Sequence, residues 1–308
     1  MKKQAVIRGA VGAILLYFIV YLSIGYYFSE VTLRPDNWRG TSQFEGDVTK
    51  GWIDPVTYEG IAHRSDTFRI RGAFDYELEG TWIPADSAVG SIVLCHGYRM
   101  DRWSMVKYVP LWNELGYNVL IYDHRYHGMS GGSFLTYGLL EREDLDHMVA
   151  WVRQQAPNLP IGVHGESMGA GTVMLYAGWN DRRQHIDFAV EDGGYSDCRE
   201  ELAYKLKDGC GIPDMGFTRW ANRVSGWRFG FDFNDVVPKE ELAGCKVPML
   251  FIHGDTDTFV PTVMVHDVYK AHPGPKKLWL APGSEHARSV LDHPNEYKNV
   301  VATFLSEL

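Results

Sequence analysis

The sequence predicts an α/β protein built on a mostly parallel sheet of about eight strands, with helices on both faces of the sheet. From residue 91 onward, short segments that are apolar throughout alternate with helix-like segments. Continuous apolar strands of this kind are typical of parallel strands that are buried on both faces. Before them, two segments with alternating polarity indicate antiparallel strands at one edge of the sheet.

The predicted elements follow one another along the chain as strand and helix in turn. They are edge strands at 67–71 and 76–83, a strand at 91–95, a helix at 105–115, a strand at 118–122, a helix at 139–155, a strand at 161–164, a helix at 170–177, a strand at 187–190, a strand at 247–253, a helix at 262–271, a strand at 277–280 and a helix at 295–308.

One interval breaks this rhythm. About 50 residues separate the strand that ends near Glu191 from the strand that begins near Val247, which is too long for a simple connection. The interval contains an amphipathic, helix-like segment at 200–206 and then a cluster of aromatic residues: Phe217, Trp220, Trp227, Phe229, Phe231 and Phe233. We therefore predict a small helical cap at about 195–243, whose aromatic residues form either its core or the wall of an acyl-binding pocket.

The N-terminal segment has the composition of a membrane span. An uncharged stretch from Gly9 to Phe28 follows Lys2, Lys3 and Arg8, and about 20 apolar residues in a helix cross the hydrocarbon core of a bilayer. Because the positive flank stays cytoplasmic, we expect a single-pass anchor at 1–29, with the N-terminus cytoplasmic and the rest of the chain extracytoplasmic. The alternatives are a cleaved signal peptide and a helix in a soluble core.

The remaining chain divides into a connector at 30–62 and an α/β domain at 63–308, which includes the cap. The net charge of −9 and the absence of a Lys/Arg stripe argue against nucleic-acid binding. The four cysteines do not have the spacing of a metal site. Cys198 and Cys210 could pair in an oxidising compartment, and the alternative is that they are unpaired small residues.

The pentapeptide Gly165-Glu166-Ser167-Met168-Gly169 lies between a predicted strand and a predicted helix. A serine on such a sharp turn points outward, with its hydroxyl exposed and a backbone N–H beside it. Glycines are needed around it because side chains would collide with the turn and the neighbouring strands. The context predicts that Ser167 is a nucleophile; the alternative is a structural serine.

A serine hydroxyl needs a histidine to accept its proton and a carboxylate to orient that histidine. Loops that follow the carboxyl ends of parallel strands are the usual place for such groups. The strand at 247–253 leads into Asp255 and Asp257, and the strand at 277–280 leads into His286. These residues are therefore the candidate acids and the candidate base.

Five ordered segments resemble motifs of serine hydrolases with the α/β-hydrolase fold. They are LCHGY (94–98), DHRYHGMSGG (123–132), GESMG (165–169), HGDTDTFVP (253–261) and GSEH (283–286). The resemblance covers the chain from about residue 67 onward and is greatest to the serine-aminopeptidase-like and prolyl-oligopeptidase-like branch, several members of which have an N-terminal membrane anchor. Tyr126 departs from the glycine that is usual at its position.

The resemblance implies a catalytic triad of Ser167, His286 and Asp257. Asp192, just after the preceding strand, is the alternative acid, because some relatives carry theirs there. Asp255 is then a turn residue whose carboxylate accepts local N–H groups.

The remaining polar residues near these motifs have expected roles, some of them with an alternative. The oxyanion hole is expected to use the backbone N–H groups of Met168 and Tyr98. His96 and His253, beside glycines at strand ends, are expected to make turn hydrogen bonds. A metal site at 123–127 is the alternative to a structural turn there, and Glu166 either influences the pocket or faces solvent.

We expect hydrolysis of a carboxylic ester through an acyl-enzyme, because this reaction makes the fewest demands on the pocket. No metal or organic cofactor is needed for it, and the substrate is a small-molecule acyl ester or a peptide. The alternatives within enzymes are an aminopeptidase-like serine peptidase and a thioesterase acting on acylated proteins. The alternative from a different class is a catalytically inactive binding protein with a hydrolase fold.

Overall fold

The computed structural model describes residues 2–35, 44–180, 185–209, 211 and 216–308. Its elements, in chain order, are α1 (Lys2–Leu33), α2 (Phe44–Thr49), α3 (Pro55–Ala62), β1 (Asp66–Arg71), β2 (Glu77–Ile83), β3 (Gly90–Cys95), a 3-10 helix (Arg102–Tyr108), α4 (Val109–Glu114), β4 (Tyr117–Tyr122), α5 (Glu141–Gln155), β5 (Ile161–Glu166), α6 (Met168–Asn180), β6 (Phe188–Asp192), α7 (Cys198–Tyr204), a π-helical turn (Lys205–Gly209), α8 (Phe217–Phe229), a 3-10 turn (Phe233–Asp235), α9 (Pro238–Glu241), a 3-10 turn (Leu242–Gly244), β7 (Met249–Gly254), α10 (Val263–Ala271), β8 (Lys276–Ala281), α11 (Ser289–Asp292) and α12 (Pro294–Leu305).

The eight strands form one sheet in the order β1-β2-β4-β3-β5-β6-β7-β8. Strand β2 pairs antiparallel with both β1 and β4, and every pair from β4 through β3 to β8 is parallel. The predicted fold class, including its antiparallel edge, is therefore confirmed. The parallel strands all present their carboxyl ends at one edge, where the loops with the candidate residues meet.

Strand side chains alternate between two hydrophobic cores, one on each face of the sheet. In β7, Met249 and Phe251 belong to one core, whereas Leu250 and Ile252 belong to the other. Helices α5, α6 and α10 contribute to the first core, and α4, α11 and α12 contribute to the second. This arrangement explains why these strands are apolar at most positions.

Helix α1 contains a segment, Val6–Leu33, of mean hydropathy 2.0 that is long and apolar enough to cross a membrane. A signal sequence has the same properties. The helix continues past the predicted anchor boundary at residue 29, and two helices, α2 and α3, lie in the predicted connector. Asp54 caps α3 by accepting a hydrogen bond from Thr57 N at 2.9 Å, an arrangement typical of helix starts. The division at residues 29 and 62 stays a prediction.

Helices α7 and α8 lie in the predicted cap interval between β6 and β7. Phe231 and Phe233 are buried in a third core, while Trp227 of α8 is 84% exposed. Cys198 is buried and forms no disulfide with another cysteine that the structure describes. Its suggested partner, Cys210, lies outside the described residues, so the pairing stays an open prediction.

Candidate active site

Ser167 lies on the sharp turn that joins β5 to α6. Its backbone has φ of +57°, in the left-handed region that non-glycine residues rarely adopt. A Cβ on Gly165 would lie 2.1 Å from the carbonyl oxygen of Gly169, and a Cβ on Gly169 would lie 2.0 Å from that of Cys95. Both neighbours are backbone atoms, so any side chain at either position would displace the turn. The two glycines are therefore required by close packing, as the motif predicts.

Ser167 and His286 are brought into hydrogen-bond contact at the carboxyl edge of the sheet. Ser167 Oγ lies 2.9 Å from His286 Nε2, and His286 Nδ1 lies 2.7 Å from Asp257 Oδ2. The three residues follow β5, β7 and β8. A hydroxyl, an imidazole and a carboxylate in this order form a relay that can transfer the serine proton to the histidine.

Asp257 is buried in a setting that favours its ionised form. Its Oδ1 accepts hydrogen bonds from the backbone N–H groups of Phe259 at 2.8 Å and Val260 at 2.9 Å. Burial by itself would raise the pKa of Asp257, but hydrogen bonds from His253 and His286 outweigh it and hold that pKa below its usual value. The carboxylate therefore remains charged beside His286.

His253 is a second histidine on the same carboxylate. Its Nε2 lies 2.9 Å from the carbonyl oxygen of Val260 and 3.3 Å from Asp257 Oδ2. The turn hydrogen bond matches the expectation for His253, but its contact with Asp257 was not foreseen. Burial favours a lower pKa for His253, yet Asp257 and Glu191 raise it above the ordinary value.

Asp192 and Asp255, the other two candidate acids, point elsewhere. Asp192 Oδ2 accepts a hydrogen bond from Tyr297 Oη at 3.0 Å, and Tyr108 Oη lies 3.2 Å from the same oxygen. Asp255 Oδ1 accepts one from the backbone N–H of Gly283 at 2.6 Å, as expected for a turn residue. The geometry thus pairs His286 with Asp257.

Glu166, which precedes the nucleophile, forms a buried ion pair with Lys107 and does not face solvent. Its Oε2 lies 2.6 Å from Lys107 Nζ and accepts a hydrogen bond from Tyr108 Oη at 2.6 Å. Lys107 also donates to the carbonyl oxygen of Ala287, next to His286, at 3.1 Å. Both charged side chains are only 2% exposed. Lys107 therefore connects the residue before Ser167 to the residue after His286, a connection that sequence reasoning missed.

The two predicted oxyanion donors flank Ser167. Met168 is the first residue of α6, and Tyr98 belongs to the turn after β3. This turn approaches the nucleophile so closely that a Cβ on Gly97 would be 3.3 Å from Ser167 Cβ. Within the part of the chain that the structure describes, the N–H groups of Met168 and Tyr98 donate to no protein acceptor. Their role as oxyanion donors stays a prediction.

An open cleft of about 1100 Å³, including its solvent-filled mouth, lies beside Ser167. Its lining includes Trp52, Tyr98, Met100 and Phe259. The Phe259 ring stacks on His286 with 4.7 Å between the ring centroids. Glu285 and Arg288 also line the cleft, and its aromatic part suits an uncharged acyl group next to the nucleophile.

The histidines at the neighbouring turn form a buried structural cluster. His96 Nε2 accepts a hydrogen bond from the backbone N–H of His124 at 2.9 Å, and His127 Nε2 accepts one from Arg99 N at 3.3 Å. Burial lowers the pKa of His96 to about 4 and that of His127 to about 3. Across the described ranges no three His, Cys, Asp or Glu side chains are grouped as metal ligands. These contacts favour the structural turn.

Tyr126 has φ of +60°. The left-handed backbone explains why glycine is usual at this position. Tyr126 adopts it within a turn that is closed by a hydrogen bond from its N–H to the carbonyl oxygen of Gly131 at 2.7 Å. The departure from the motif therefore leaves the turn intact.

The sheet order, the strained serine turn and the loops around it together define an α/β hydrolase. The protein family described as "Serine aminopeptidase, S33" matches residues 86–197, which include the His-Gly turn and the nucleophile turn. The uncharacterized protein YqkD of Bacillus subtilis (strain 168) is 34% identical over 242 residues, covering 78% of this chain and 79% of that protein. The chain belongs to the serine aminopeptidase S33 family of α/β hydrolases.

Relatives with named activities include esterases and lipases. The structure of the Pyrococcus furiosus esterase Pf2001 is 27% identical, with a TM-score of 0.64, and covers 81% of this chain and 94% of that one. A monoacylglycerol lipase of Mycolicibacterium smegmatis is 34% identical over 97 residues, which are 31% of this chain and 35% of the lipase. Both similarities are consistent with a hydrolase.

Proposed function

We propose that this chain is a membrane-anchored serine hydrolase that cleaves carboxylic esters through an acyl-enzyme. The observation that carries the proposal is the relay from Ser167 Oγ through His286 to Asp257, with distances of 2.9 Å and 2.7 Å. The open cleft beside the relay gives a substrate carbonyl access to Ser167.

In the proposed mechanism, Ser167 Oγ attacks the ester carbonyl while His286 Nε2 accepts the hydroxyl proton. Asp257 holds the imidazole in place and stabilises its charged form. The N–H groups of Met168 and Tyr98 would stabilise the negative oxygen of the tetrahedral intermediate. His286 then protonates the leaving alcohol, and a water that is deprotonated by the same histidine releases the acid and restores Ser167.

An ester substrate is supported by the lining of the cleft and by the esterase and lipase relatives. A peptidase related to the family's aminopeptidases would need a carboxylate to bind the substrate's amino terminus. Glu285 is an exposed carboxylate that lines the cleft, so an aminoacyl substrate is the second candidate. The two are separated by comparing turnover of short p-nitrophenyl esters with that of aminoacyl and peptidyl p-nitroanilides; a preference for the amides would overturn the ester proposal.

A fluorophosphonate probe tests whether the chain is a serine hydrolase at all. The Ser167 oxygen should displace fluoride and form a stable phosphonyl ester in the wild-type chain but not in Ser167→Ala. An unlabelled wild-type chain that is folded would mean an inactive binding protein. This test does not depend on the identity of the substrate.

The proposed location is a single-pass membrane protein with a cytoplasmic N-terminus and an extracytoplasmic hydrolase domain. The proposal rests on the length and hydropathy of the α1 segment and on the basic residues that precede it. Protease added outside intact cells should degrade the domain. Full protection of the domain would contradict this orientation, and release of a shortened soluble chain would indicate a cleaved signal.

A further inference from the structure

An apolar pocket lies between the C-terminal end of α1 and the cap. Its volume is about 780 Å³, including its solvent-filled mouth. The apolar lining comes from α1 and from the cap interval, with these members: Phe28 and Val31 of α1, Leu202 of α7, Leu206 of the π-helical turn, Phe217 and Ala221 of α8, and Phe233 of the 3-10 turn that follows. Because α1 supplies one wall, the pocket would not exist in the hydrolase domain alone.

The end of α1 is attached to the domain and does not behave as a loose tether. The last carbonyl groups of a helix have no N–H partner within it. The carbonyl of Val31 accepts a hydrogen bond from Tyr98 Oη at 3.0 Å, and that of Leu33 accepts one from the backbone N–H of Leu135 at 2.9 Å. The domain thus completes the end of the helix and fixes the position of the pocket wall.

Side chains of α8 hold the preceding turns of α1. Trp220 Nε1 donates to the carbonyl oxygen of Tyr21 at 3.0 Å, and a Cβ on Gly25 would lie 2.0 Å from the same nitrogen. Arg228 pairs with Glu30. The two helices that form opposite walls of the pocket are therefore held together by specific contacts.

The pocket adjoins the catalytic cleft on two sides. Tyr98, which lines the cleft, is bonded to Val31, which lines the pocket. Lys205, which lines the pocket, lies over the Phe259 ring with 3.1 Å between its Nζ and the ring centroid, and Phe259 lines the cleft. The pocket and the cleft are thus separated by contacting residues, and an acyl chain that extends from Ser167 would reach the pocket by passing Tyr98 or Phe259.

We propose that this pocket binds the hydrocarbon chain of the substrate's acyl group and that α1 is part of the binding site. This inference rests on the proposed ester hydrolase activity and makes long-chain, membrane-derived acyl esters the substrate class. A lipid that leaves the bilayer beside α1 reaches the pocket along the same helix. Burial of each additional methylene group in the pocket should favour longer acyl chains.

The first test narrows the pocket from the α1 side in the full-length chain in lipid nanodiscs. Val31→Trp should lower kcat/KM for p-nitrophenyl dodecanoate at least about tenfold, as expected when about two methylene groups lose their burial. The value for p-nitrophenyl acetate should stay within about twofold. Ala221→Phe, which narrows the pocket from the cap, should have the same selective effect.

Val20→Trp is the matched control, because Val20 is an exposed residue of the same helix that does not line the pocket. This variant should leave kcat/KM for both esters unchanged. The inference would be overturned if Val31→Trp and Ala221→Phe lowered kcat/KM equally for the dodecanoate and the acetate ester. It would also be overturned if they lowered kcat/KM for neither ester.

A second measurement needs no turnover and separates this inference from the proposed function. The full-length Ser167→Ala chain is incubated with a p-nitrophenyl dodecanoate that has a diazirine at the end of its acyl chain, and is then irradiated and digested. Crosslinks should map to peptides that contain Phe28–Thr32 or Leu202–Leu206, and Val31→Trp should reduce them. Crosslinks confined to other peptides would overturn the inference even in an active esterase, and crosslinks at these peptides would support it even if no ester is hydrolysed.

Discussion

Asp192 ends β6 and Asp257 lies in the loop after the neighbouring parallel strand β7, at the same edge of the sheet, yet their surroundings are opposite. Both are buried, at 5% and 1% exposure. Asp257 accepts hydrogen bonds from two backbone N–H groups. Burial would raise its pKa, but the hydrogen bonds and charges of two imidazoles outweigh burial and lower it. For Asp192, burial is the largest effect and the nearby charge of Glu166 adds to it, so its pKa rises to about 6.

Position at the sheet edge does not by itself select the acid. A carboxylate supports an imidazolium only if the protein stabilises its negative charge. The loop after β7 does so with N–H donors, whereas the end of β6 places Asp192 among tyrosine hydroxyls and another carboxylate. Asp257 is therefore suited to orient His286, and Asp192 is suited to a buried hydrogen-bond network.

The largest expected effect is on catalysis. Asp257→Asn should lower kcat for a short p-nitrophenyl ester by about 10⁴-fold, because the amide can neither stabilise the imidazolium nor hold the correct tautomer. Asp192→Asn keeps an acceptor for the tyrosine hydroxyls and should retain kcat within about tenfold. Both variants are compared with wild type after their folding is checked by circular dichroism.

The reverse result would reassign the acid. If folded Asp192→Asn loses about 10⁴-fold in kcat and Asp257→Asn keeps its kcat, then Asp192 and not Asp257 orients His286 in the active enzyme. Equal large losses in both would mean that the two carboxylates act as one unit.

The next largest effect concerns the ion pair beside Asp192. Lys107→Met leaves the buried Glu166 carboxylate without its cation, and should lower the free energy of unfolding by about 3–5 kcal/mol. The double variant Lys107→Met/Glu166→Gln removes both charges and should recover most of this loss. Urea unfolding of the full-length chain in mild detergent, followed by tryptophan fluorescence, measures both. A double variant as unstable as the single one would mean that Lys107 acts through packing and not through charge.

The two carboxylates should also leave opposite signatures in the pH dependence of stability. A raised carboxyl pKa gives stability that is present below the unfolded value of about 3.9 and is lost as the pH rises through about 6. Asparagine does not titrate, so Asp192→Asn should gain up to about 3 kcal/mol relative to wild type between pH 4 and pH 7.

The lowered pKa of Asp257 gives stability that is present above about pH 3.9 and is lost as the pH falls further. The deficit in the free energy of unfolding of Asp257→Asn relative to wild type should therefore be greatest near pH 5 and shrink below about pH 4. It should also decrease as the pH rises above about 6.5, because Asp257 raises the pKa of His253 and this contribution is lost when His253 loses its proton. The same urea titrations, repeated across this range, measure both differences. A flat difference for Asp192→Asn would contradict its raised pKa.

Much of the fold and of the relay could be predicted because the deciding signals are local. Apolar strands identify the parallel sheet, and the glycines at 165 and 169 mark a turn that leaves no space for a Cβ. The Asp54-Pro55 start of α3 is the same kind of local signal, although the sequence analysis predicts a connector at 30–62.

The features that sequence reasoning missed depend on contacts between distant parts of the chain. Lys107 lies in a short 3-10 helix, and its contact with Glu166 depends on how that helix packs on β5. The attachment of α1 to the domain joins Val31 to Tyr98, which is 67 residues away. Hydropathy patterns describe how apolar a helix is, but they do not say which surface it packs against.

The smallest expected effect comes from Asp255, which shares the β7 loop with Asp257. Asp255 is exposed and accepts a hydrogen bond from the backbone N–H of Gly283, and asparagine keeps an oxygen that can accept it. Asp255→Asn should therefore change the free energy of unfolding by no more than about 0.5 kcal/mol and kcat/KM by less than about threefold. The same ester assay and urea titration measure these changes. A loss greater than about tenfold would mean that the charge of Asp255 also positions the His286 loop, and the contrast between the two buried carboxylates would then not be enough to explain the relay.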